Sequence, residues 1–246
     1  MPDKYTWEAV YYDAIYTQMK DYAAEAERVV ELIDAHTRVD GGHDNHNYES
    51  KLLDVACGTG LHAQHLASRY RITGIDLSPA MLQVAQDRLP EARWQVADMK
   101  DFNIGANCFE AVTCLFSAVG HLGDADQLNA AVACMARQLR TGGVLVIEPW
   151  IPPEEWDDNR TLSANFVPEE AVARITQSRR RGNRAELDMH FFVDWHNRPR
   201  YFVTHHELTL FTSDQYMAAF AQAGLDVHHH PYGLMGRGLF IGVKNS

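Results

Sequence analysis

Residues 52–60 read Leu-Leu-Asp-Val-Ala-Cys-Gly-Thr-Gly, and this stretch decides the fold. An apolar run typical of a buried strand carries Asp54 and leads into a turn that contains Gly58 and Gly60. A helix-compatible segment follows over residues 61–70. Glycines at such a turn let a ligand lie directly against the main chain. The pattern therefore predicts a strand, a turn and a helix, with a ligand site at the turn.

A second acidic residue supports this site. Asp76 stands eighteen positions after Gly58 and ends the strand-like run 72–76. A carboxylate at the end of the neighbouring strand suits hydrogen bonds to the two hydroxyls of a ribose. We therefore expect a cofactor that contains a nucleoside.

The residues around the turn narrow the kind of nucleoside. A dinucleotide site carries a third glycine, and a P-loop carries Lys followed by Ser or Thr, but here Leu61 and His62 follow Gly60. Asp54 would repel a pyrophosphate, whereas it can accept a hydrogen bond from an ammonium group. These features favour a nucleoside that bears an amino acid, and S-adenosylmethionine is the obvious candidate.

Composition bounds the class of protein. The chain has 246 residues, 46% of them hydrophobic, which predicts one domain or one domain with a substantial insertion. A formal net charge of −11 argues against general affinity for nucleic acid. The four cysteines form no C-x-x-C pair, and no apolar run reaches the length of a membrane span. We expect a reduced, soluble, cytoplasmic protein.

From residue 51 the sequence alternates strand-like and helix-like segments. Strands are expected at 52–56, 72–76, 93–97, 109–115 and 143–148, and helices at 61–70, 79–88 and 124–140, with a turn at Gly142-Gly143 after the last helix. This rhythm predicts an α/β, Rossmann-like fold with a mostly parallel sheet covered by helices on both faces.

Four parts are expected along the chain. Residues 1–50 comprise a helical segment (7–36) and a polar loop (39–50), and residues 51–150 form the cofactor-binding core. Residues 151–211 form an antiparallel β insertion, with strands at 171–179, 185–195 and 200–211. Residues 212–246 form a helix (213–223) and two strands (near 225–230 and 238–244) that complete a seven-stranded sheet. The insertion can serve as a pocket wall, as the contact of a homodimer, or as both.

Five motifs in order resemble class I S-adenosylmethionine-dependent methyltransferases. They are the glycine turn, Asp76 to Leu82, Ala97-Asp98-Met99, Phe109 through Phe116, and Leu139 to Gly143. The resemblance implies the class I methyltransferase fold and S-adenosylmethionine as cofactor. It implies that Asp76 holds the ribose and that Asp98 lies near the adenine amine. The implied cofactor-binding residues are Tyr22, Asp54, Ala56, Gly58, Gly60, Asp76, Leu77, Met81, Asp98, Met99 and Phe116.

Further segments resemble a narrower family, the N,N-dimethyltransferases that act on thymidine-diphosphate-linked 3-amino-3,6-dideoxyhexoses. These segments are Lys20 to Glu25, Leu115 to Leu122, Glu148 to Trp150 and Gly236 to Phe240. The resemblance implies a TDP-linked amino sugar as the substrate and two methylations of its amine. Another small-molecule N- or O-methyltransferase, and a cofactor-binding protein without catalysis, remain the alternatives.

On the acceptor side, Tyr16 and His121 are the candidates for orienting the amine or taking its proton. Arg237, flanked by glycines, is a candidate for the substrate diphosphate, with an exposed turn residue as the alternative. Tyr12 and Trp150 are further candidate substrate contacts, although Trp150 can equally be a core residue. Successive strand residues point to opposite faces, so we expect no metal site at His205-His206 or His228–His230.

Overall fold

The computed structural model describes residues 4–37, 50–159, 162–194 and 197–245. The polar loop predicted at 39–50 lies almost wholly outside the described residues. The strands are β1 (Lys51–Val55), β2 (Arg71–Asp76), β3 (Arg93–Val96), β4 (Phe109–Cys114), β5 (Leu139–Ile147), β6 (Leu162–Val167), β7 (Val172–Arg181), β8 (Arg184–Asp194), β9 (Pro199–Thr209), β10 (Leu225–His230) and β11 (Leu239–Lys244). The helices are α1 (Lys4–Tyr16), α2 (Tyr22–His36), α3 (Leu61–Leu66), α4 (Pro79–Arg88), α5 (Ala125–Gln138) and α6 (Ser213–Gln222).

Seven strands form the main sheet in the order β10-β11-β5-β4-β1-β2-β3. The five strands from β1 to β5 pair in parallel, whereas β11 runs antiparallel to both β5 and β10. The central strands are apolar and buried on both sides, as in β1, where Leu52 and Leu53 pack into two different core clusters. The predicted mostly parallel sheet with helices on both faces is confirmed.

Local signals in the sequence fix where the helices begin. The side chains of Asp21, Ser78 and Asp124 each accept a hydrogen bond from a backbone N–H in the first turn of α2, α4 and α5. Thr212 and Gln215 form a reciprocal capping box at the start of α6. These caps place the first turns of α2 and α4 beside the glycine turn. No helix in the described ranges is long and apolar enough to cross a membrane.

The strands β6 to β9 form a second, antiparallel sheet in chain order. β7, β8 and β9 agree with the predicted insertion strands, while β6 was not predicted. Its sequence, Leu-Ser-Ala-Asn-Phe-Val, places exposed Leu162 and Phe166 on one face and polar residues on the other. The strand therefore lacks the usual alternation, in which the apolar residues lie on the buried face.

Three predicted elements need correction. The helix expected over 7–36 is two helices, because the chain turns between Tyr16 and Tyr22. The helix expected over 61–70 ends at Leu66. The turn expected at Gly142-Gly143 lies within β5: Phe109 pairs with Leu139 and Ala111 with Val144, so the intervening residues form an irregularity in the strand.

Candidate active site

A cavity of about 370 Å³ opens at the carboxyl ends of β1, β2 and β4, the edge where open α/β sheets bind their ligands. The small sheet and α1 form its other walls. Most of the residues predicted for the site line this cavity: Tyr12, Tyr16, Ala56, Gly58, Asp76, Leu77, Met81, Met99, Phe116, His121, Trp150 and Arg237. Residues from both the cofactor prediction and the acceptor prediction thus share one space.

A recess of about 30 Å³ adjoins the cavity and shares Tyr12, Ala56, Gly58 and Phe116 with it. Tyr22 and Asp54, which do not line the larger cavity, line this recess. The hydroxyl of Tyr22 is buried and has no hydrogen-bond partner among the described residues. The recess therefore offers a carboxylate and a hydroxyl to the end of a ligand that reaches past the glycine turn.

The glycine turn and Asp76 form one hydrogen-bonded unit. Asp76 accepts from the backbone N–H of Gly58 at 2.9 Å and from that of Ser78 at 2.8 Å. Burial raises the pKa of this carboxyl, and the two N–H groups oppose the shift. Each carboxylate oxygen keeps a lone pair for a further donor, so the group can still receive a pair of ribose hydroxyls.

Gly60 has a structural position instead of lining the cavity. Its φ of +76° lies in the left-handed region, and an added Cβ would stand 3.1 Å from the Trp94 ring and 3.2 Å from Cβ of Ala85. The residue therefore lets α3 start close against α4 and β3. Gly58 also has a left-handed φ, of +56°, but faces open space.

Asp54 is almost fully buried and accepts a hydrogen bond from the Thr113 hydroxyl at 2.8 Å. Burial raises its pKa to about 7. No cation pairs with it among the described residues. A buried carboxyl with this pKa is ready to ionise when a ligand brings an ammonium group next to it.

Asp98 does not line the cavity, although its neighbours Ala97 and Met99 do. Its carboxylate accepts from the backbone N–H of Lys100 at 2.9 Å and lies 3.3 Å from the Lys100 ammonium. The side chain thus closes its own turn, and the predicted adenine contact of Asp98 stays a prediction.

Phe116 and Ser117 follow β4 with φ values of +53° and +62°, a strained conformation for residues other than glycine. The Phe116 N–H donates to a carboxylate oxygen of Glu148 at 2.6 Å. The Ser117 hydroxyl donates to the Pro149 carbonyl at 2.7 Å and accepts from Arg237 at 3.0 Å. The end of β5 therefore holds this turn and, through it, positions Arg237, whose guanidinium also lies over the Trp150 ring at 4.5 Å.

Helix α1 places two tyrosines over the same turn. The Tyr12 and Tyr16 rings meet the Phe116 ring edge-on at 6.4 and 4.9 Å between centroids. Asp13, between them, accepts from the Thr59 hydroxyl at 2.5 Å and pairs with Arg88 of α4. These contacts hold α1 against the glycine turn. They could not be predicted from local sequence, because the partners lie 46 and 75 positions from Asp13.

A buried ionic cluster lies beside Phe116. The Lys20 ammonium is 2.9 Å from the Glu25 carboxylate and 3.9 Å from the centre of the Phe116 ring. The His62 ring contacts the same carboxylate at 2.8 Å. The two partners hold the pKa of Glu25 below its usual range against the effect of burial. Lys20 is thus paired within the core and does not line the acceptor cavity.

The inner face of the small sheet contributes polar residues that sequence reasoning missed. Arg174, Thr176 and His206 line the cavity, and the His206 ring lies 5.9 Å from that of His121. The period of two along β7 could have placed Arg174 and Thr176 on one face, but it could not say which face covers a pocket.

The adjacent histidines point apart, as the alternation of a strand requires. The exposed His205 contacts Asp188 at 2.6 Å, whereas His206 faces the cavity. His229 stacks on Phe240, and His230 lies 3.2 Å from Arg28.

Comparison with known proteins identifies the class of enzyme. Residues 52–143 match the family model of the methyltransferase domain. The chain is a class I S-adenosylmethionine-dependent methyltransferase, and S-adenosylmethionine is its cofactor.

Relatives over the full length define the family. A dTDP-3-amino-3,4,6-trideoxy-alpha-D-glucopyranose N,N-dimethyltransferase from Streptomyces venezuelae is 43% identical over 94% of this chain and 95% of its own. A dTDP-3-amino-3,6-dideoxy-alpha-D-glucopyranose N,N-dimethyltransferase from Streptomyces fradiae is 38% identical over 92% of this chain and 86% of its own. The chain belongs to the family of dTDP-amino-sugar N,N-dimethyltransferases.

Solved structures agree with this membership. The crystal structure of Streptomyces venezuelae DesVI has a TM-score of 0.83 and 40% identity, covering 94% of this chain and 97% of that one. An S-adenosylmethionine-bound amino pentose methyltransferase from Micromonospora echinaspora has a TM-score of 0.81 and 38% identity, covering 97% of this chain and 96% of that one. The similarity thus includes the small sheet as well as the cofactor core.

Proposed function

We propose that this enzyme methylates, twice, the amine of an amino sugar linked to thymidine diphosphate. One observation carries the proposal: a single cavity holds the cofactor residues Gly58 and Asp76 together with the acceptor-side residues His121 and Arg237. The near full-length similarity to dTDP-amino-sugar N,N-dimethyltransferases supports the substrate class.

The bound cofactor supplies an activated methyl group on a sulfonium, so the protein has to align and desolvate the partners. We assign the ribose to Asp76, the ammonium to Asp54 and the chain between them to Ala56 and Gly58. Tyr22, Leu77, Met81, Met99 and Phe116 form the remaining walls of the cofactor site in this proposal. Gly60 is proposed to act indirectly, by letting α3 pack against α4.

The amine has to arrive as a free base, and His121 and Tyr16 are proposed to orient it or to accept its proton. The Tyr16 hydroxyl already accepts a hydrogen bond from Arg174 at 2.8 Å, and its second lone pair is available to an N–H group. His121 lies at the exposed rim of the cavity, where a proton can pass to water. Both groups act on the acceptor and not on the cofactor.

Arg237 is proposed to bind the diphosphate of the substrate. Its guanidinium is largely buried, which lowers its pKa, and its direct hydrogen bond goes to the neutral Ser117 hydroxyl. Trp150 and Tyr12 flank the same space and are proposed as walls of the sugar and amine pocket. An arginine at this depth suits a doubly charged ligand.

Product mass tests the function. The purified enzyme and S-adenosylmethionine are incubated with TDP-linked amino sugars, the same amino sugars free, and TDP-linked sugars that carry a hydroxyl in place of the amine. We expect mass gains of about one and two methyl groups on the TDP-linked amines alone. Methylation of free amines or of hydroxyls would instead establish the alternative small-molecule methyltransferase, and cofactor binding without turnover would establish a non-catalytic protein.

We further propose that two copies associate through the outer face of the small sheet. Phe166, Phe192 and Tyr201 lie in one row across β6, β8 and β9, and each is at least half exposed. With Leu162 and Ile175 they make an apolar face of the kind that marks interfaces. Light scattering should give a dimer mass for the wild type and a monomer mass for Phe192→Arg, while Leu77→Arg, which alters an exposed residue elsewhere, is a control for mass alone. A wild-type monomer would overturn this proposal.

The division of the chain at residues 50, 150 and 211 and a cytoplasmic location also remain proposals. The small sheet, bounded by Leu162 and Thr209, supports the third part of that division. Four free cysteines are compatible with a reducing compartment.

A further inference from the structure

Arg174 of β7 is a buried guanidinium that has no counter-ion in the part of the chain that the structure describes. The residue is 5% exposed, and none of the ion pairs among the described residues includes it. Its hydrogen bonds go to neutral atoms: the Tyr16 hydroxyl at 2.8 Å and the Asn165 side-chain oxygen at 2.7 Å. A guanidinium stays charged in a protein, and burying it without an opposite charge is costly. Among the described residues this positive charge meets no opposite charge, and an anionic ligand would neutralise it.

Other unpaired polar atoms lie around the same cavity. Nε of Arg174, Nε1 of Trp150 and Oγ1 of Thr176 are all buried without a hydrogen-bond partner among the described residues. All three residues line the cavity, and two of the three atoms can only donate. Buried donors are normally satisfied, so a set left open on one cavity indicates a ligand rich in acceptor oxygens.

Arg237 brings a second guanidinium to this cavity from the loop between β10 and β11. A diphosphate carries two negative groups and needs cationic partners on more than one side, and arginine binds phosphate oxygens in pairs. The cofactor carboxylate is the competing anion. It belongs with the recess at Tyr22 and Asp54, which Arg174 does not line.

We infer that Arg174, assisted by the Thr176 hydroxyl and the Trp150 indole N–H, forms a second anion subsite for the diphosphate of the substrate. The inference rests on the proposed nucleotide-sugar substrate and adds a residue from the small sheet to it. Arg174 binds one phosphate group while Arg237 binds the other. In this arrangement the small sheet contacts the acceptor directly, through the ion pair between Arg174 and a phosphate group.

Calorimetry with thymidine diphosphate and, separately, with S-adenosylhomocysteine tests the inference on the full chain. In Arg174→Met we expect the Kd for thymidine diphosphate to rise about 30-fold or more and the Kd for S-adenosylhomocysteine to stay within about two-fold of the wild-type value. Arg174→Lys keeps the positive charge but loses the paired N–H donors of the guanidinium. Its Kd for thymidine diphosphate should lie between the values for the wild type and Arg174→Met. Arg181→Met, on the same strand but exposed, is the matched control and should bind both ligands like the wild type.

Kinetics and melting separate this role from a structural one. Arg174→Met should raise KM for the nucleotide sugar with a smaller effect on kcat. Thymidine diphosphate should raise the Tm of the wild type and leave the Tm of Arg174→Met unchanged. Unchanged affinity for thymidine diphosphate in Arg174→Met would overturn the inference, as would a parallel loss of affinity for S-adenosylhomocysteine. A wild type that binds S-adenosylhomocysteine but not thymidine diphosphate would overturn the proposed substrate class itself.

Discussion

Asp54→Asn exchanges a buried carboxylic acid for an amide of the same shape at the end of β1. The Asn oxygen can still accept from Thr113, so the packing and this hydrogen bond are retained. The variant has no group at this position that titrates. Any difference in pH dependence between the two proteins therefore belongs to the Asp54 carboxyl.

The sign of the effect follows from the raised pKa. Burial raises the pKa of Asp54 to about 7 in the folded ligand-free protein, against 3.8 for the unconstrained group. Between these values the folded state keeps a proton that the unfolded state has lost, so the stability of the wild type falls as pH rises and levels off above pH 7. From pH 5 to pH 7 about two pH units of this window are crossed, which corresponds to on the order of 3 kcal/mol.

Urea unfolding at pH 5, 6, 7 and 8 without ligand measures this difference. From pH 5 to pH 8 we expect the free energy of unfolding of the wild type to fall by about 3 kcal/mol relative to that of Asp54→Asn. Asp76 and Glu148, whose pKa values are also raised by burial, remain in both proteins. The charge of Asp76 contributes to the raised pKa of Asp54, so the difference reports the Asp54 carboxyl together with its coupling to Asp76. Parallel stability curves would refute the assignment of a raised pKa to this carboxyl.

The same titration should appear in cofactor binding. The wild type should bind S-adenosylhomocysteine more tightly as pH rises from 5 to 7, because the ionised Asp54 meets the ligand ammonium. Asp54→Asn should bind more weakly at pH 8 and show no such rise. An identical pH dependence in both proteins would contradict the proposed pairing.

Asp76→Asn should raise the Kd for S-adenosylhomocysteine by about 100-fold by calorimetry, since it removes charge-assisted hydrogen bonds to the ribose, while the exposed Asp87→Asn should not change it. An Asp76 variant with wild-type affinity would contradict the ribose role. Gly60→Ala should lower the free energy of unfolding by about 1–2 kcal/mol in urea titrations, because its φ is left-handed and its Cβ meets Trp94; a neutral result would mean that α3 shifts at no cost. His121→Asn should lower kcat about 10–100-fold in a product-mass assay without changing the Kd for S-adenosylhomocysteine, and full activity would exclude His121 from proton transfer.

The cofactor half of the site was predictable because its signals are local. Gly58, Asp76 and Met81 each follow directly from a strand, a turn or a helix start, and the order of the parallel strands brings such positions to one edge. Strand ends and caps are short-range features, so a single sequence contains them. The positions of Gly58 and Asp76 at the cavity agree with that prediction.

The acceptor half was less predictable because it depends on contacts between distant elements. Arg174 reaches Tyr16 across 158 positions, and Asp13 reaches Arg88 across 75. Three consecutive arginines, Arg179 to Arg181, end β7 and are exposed, whereas Arg174 in the same strand is buried. Only the pairing of β7 with its neighbours says which alternate residues turn inward.

Strand β6 escaped prediction for a related reason. Its inner face carries Ser163 and Asn165, which serve the cavity, and its outer face carries Leu162 and Phe166. In β6 the polar residues 163 and 165 thus lie on the inner face and the apolar residues 162 and 166 on the outer face, which inverts the usual pattern of a strand. Polar residues at the cavity here take the inner positions at which apolar residues normally reveal a strand.

The alternation along β7 also means that substitutions and changes of length affect this sheet differently. Even-numbered residues such as Arg174 and Thr176 face the pocket, while odd-numbered ones such as Ile175 face outward. A substitution at an even-numbered position can therefore change the pocket and leave the outer surface as it is, and a substitution at an odd-numbered position does the reverse. A deletion of one residue within β7 itself would instead move the side chains on one side of the deletion to the opposite face. Point substitutions in this sheet thus change one face at a time, whereas a change of length within a strand changes both faces together.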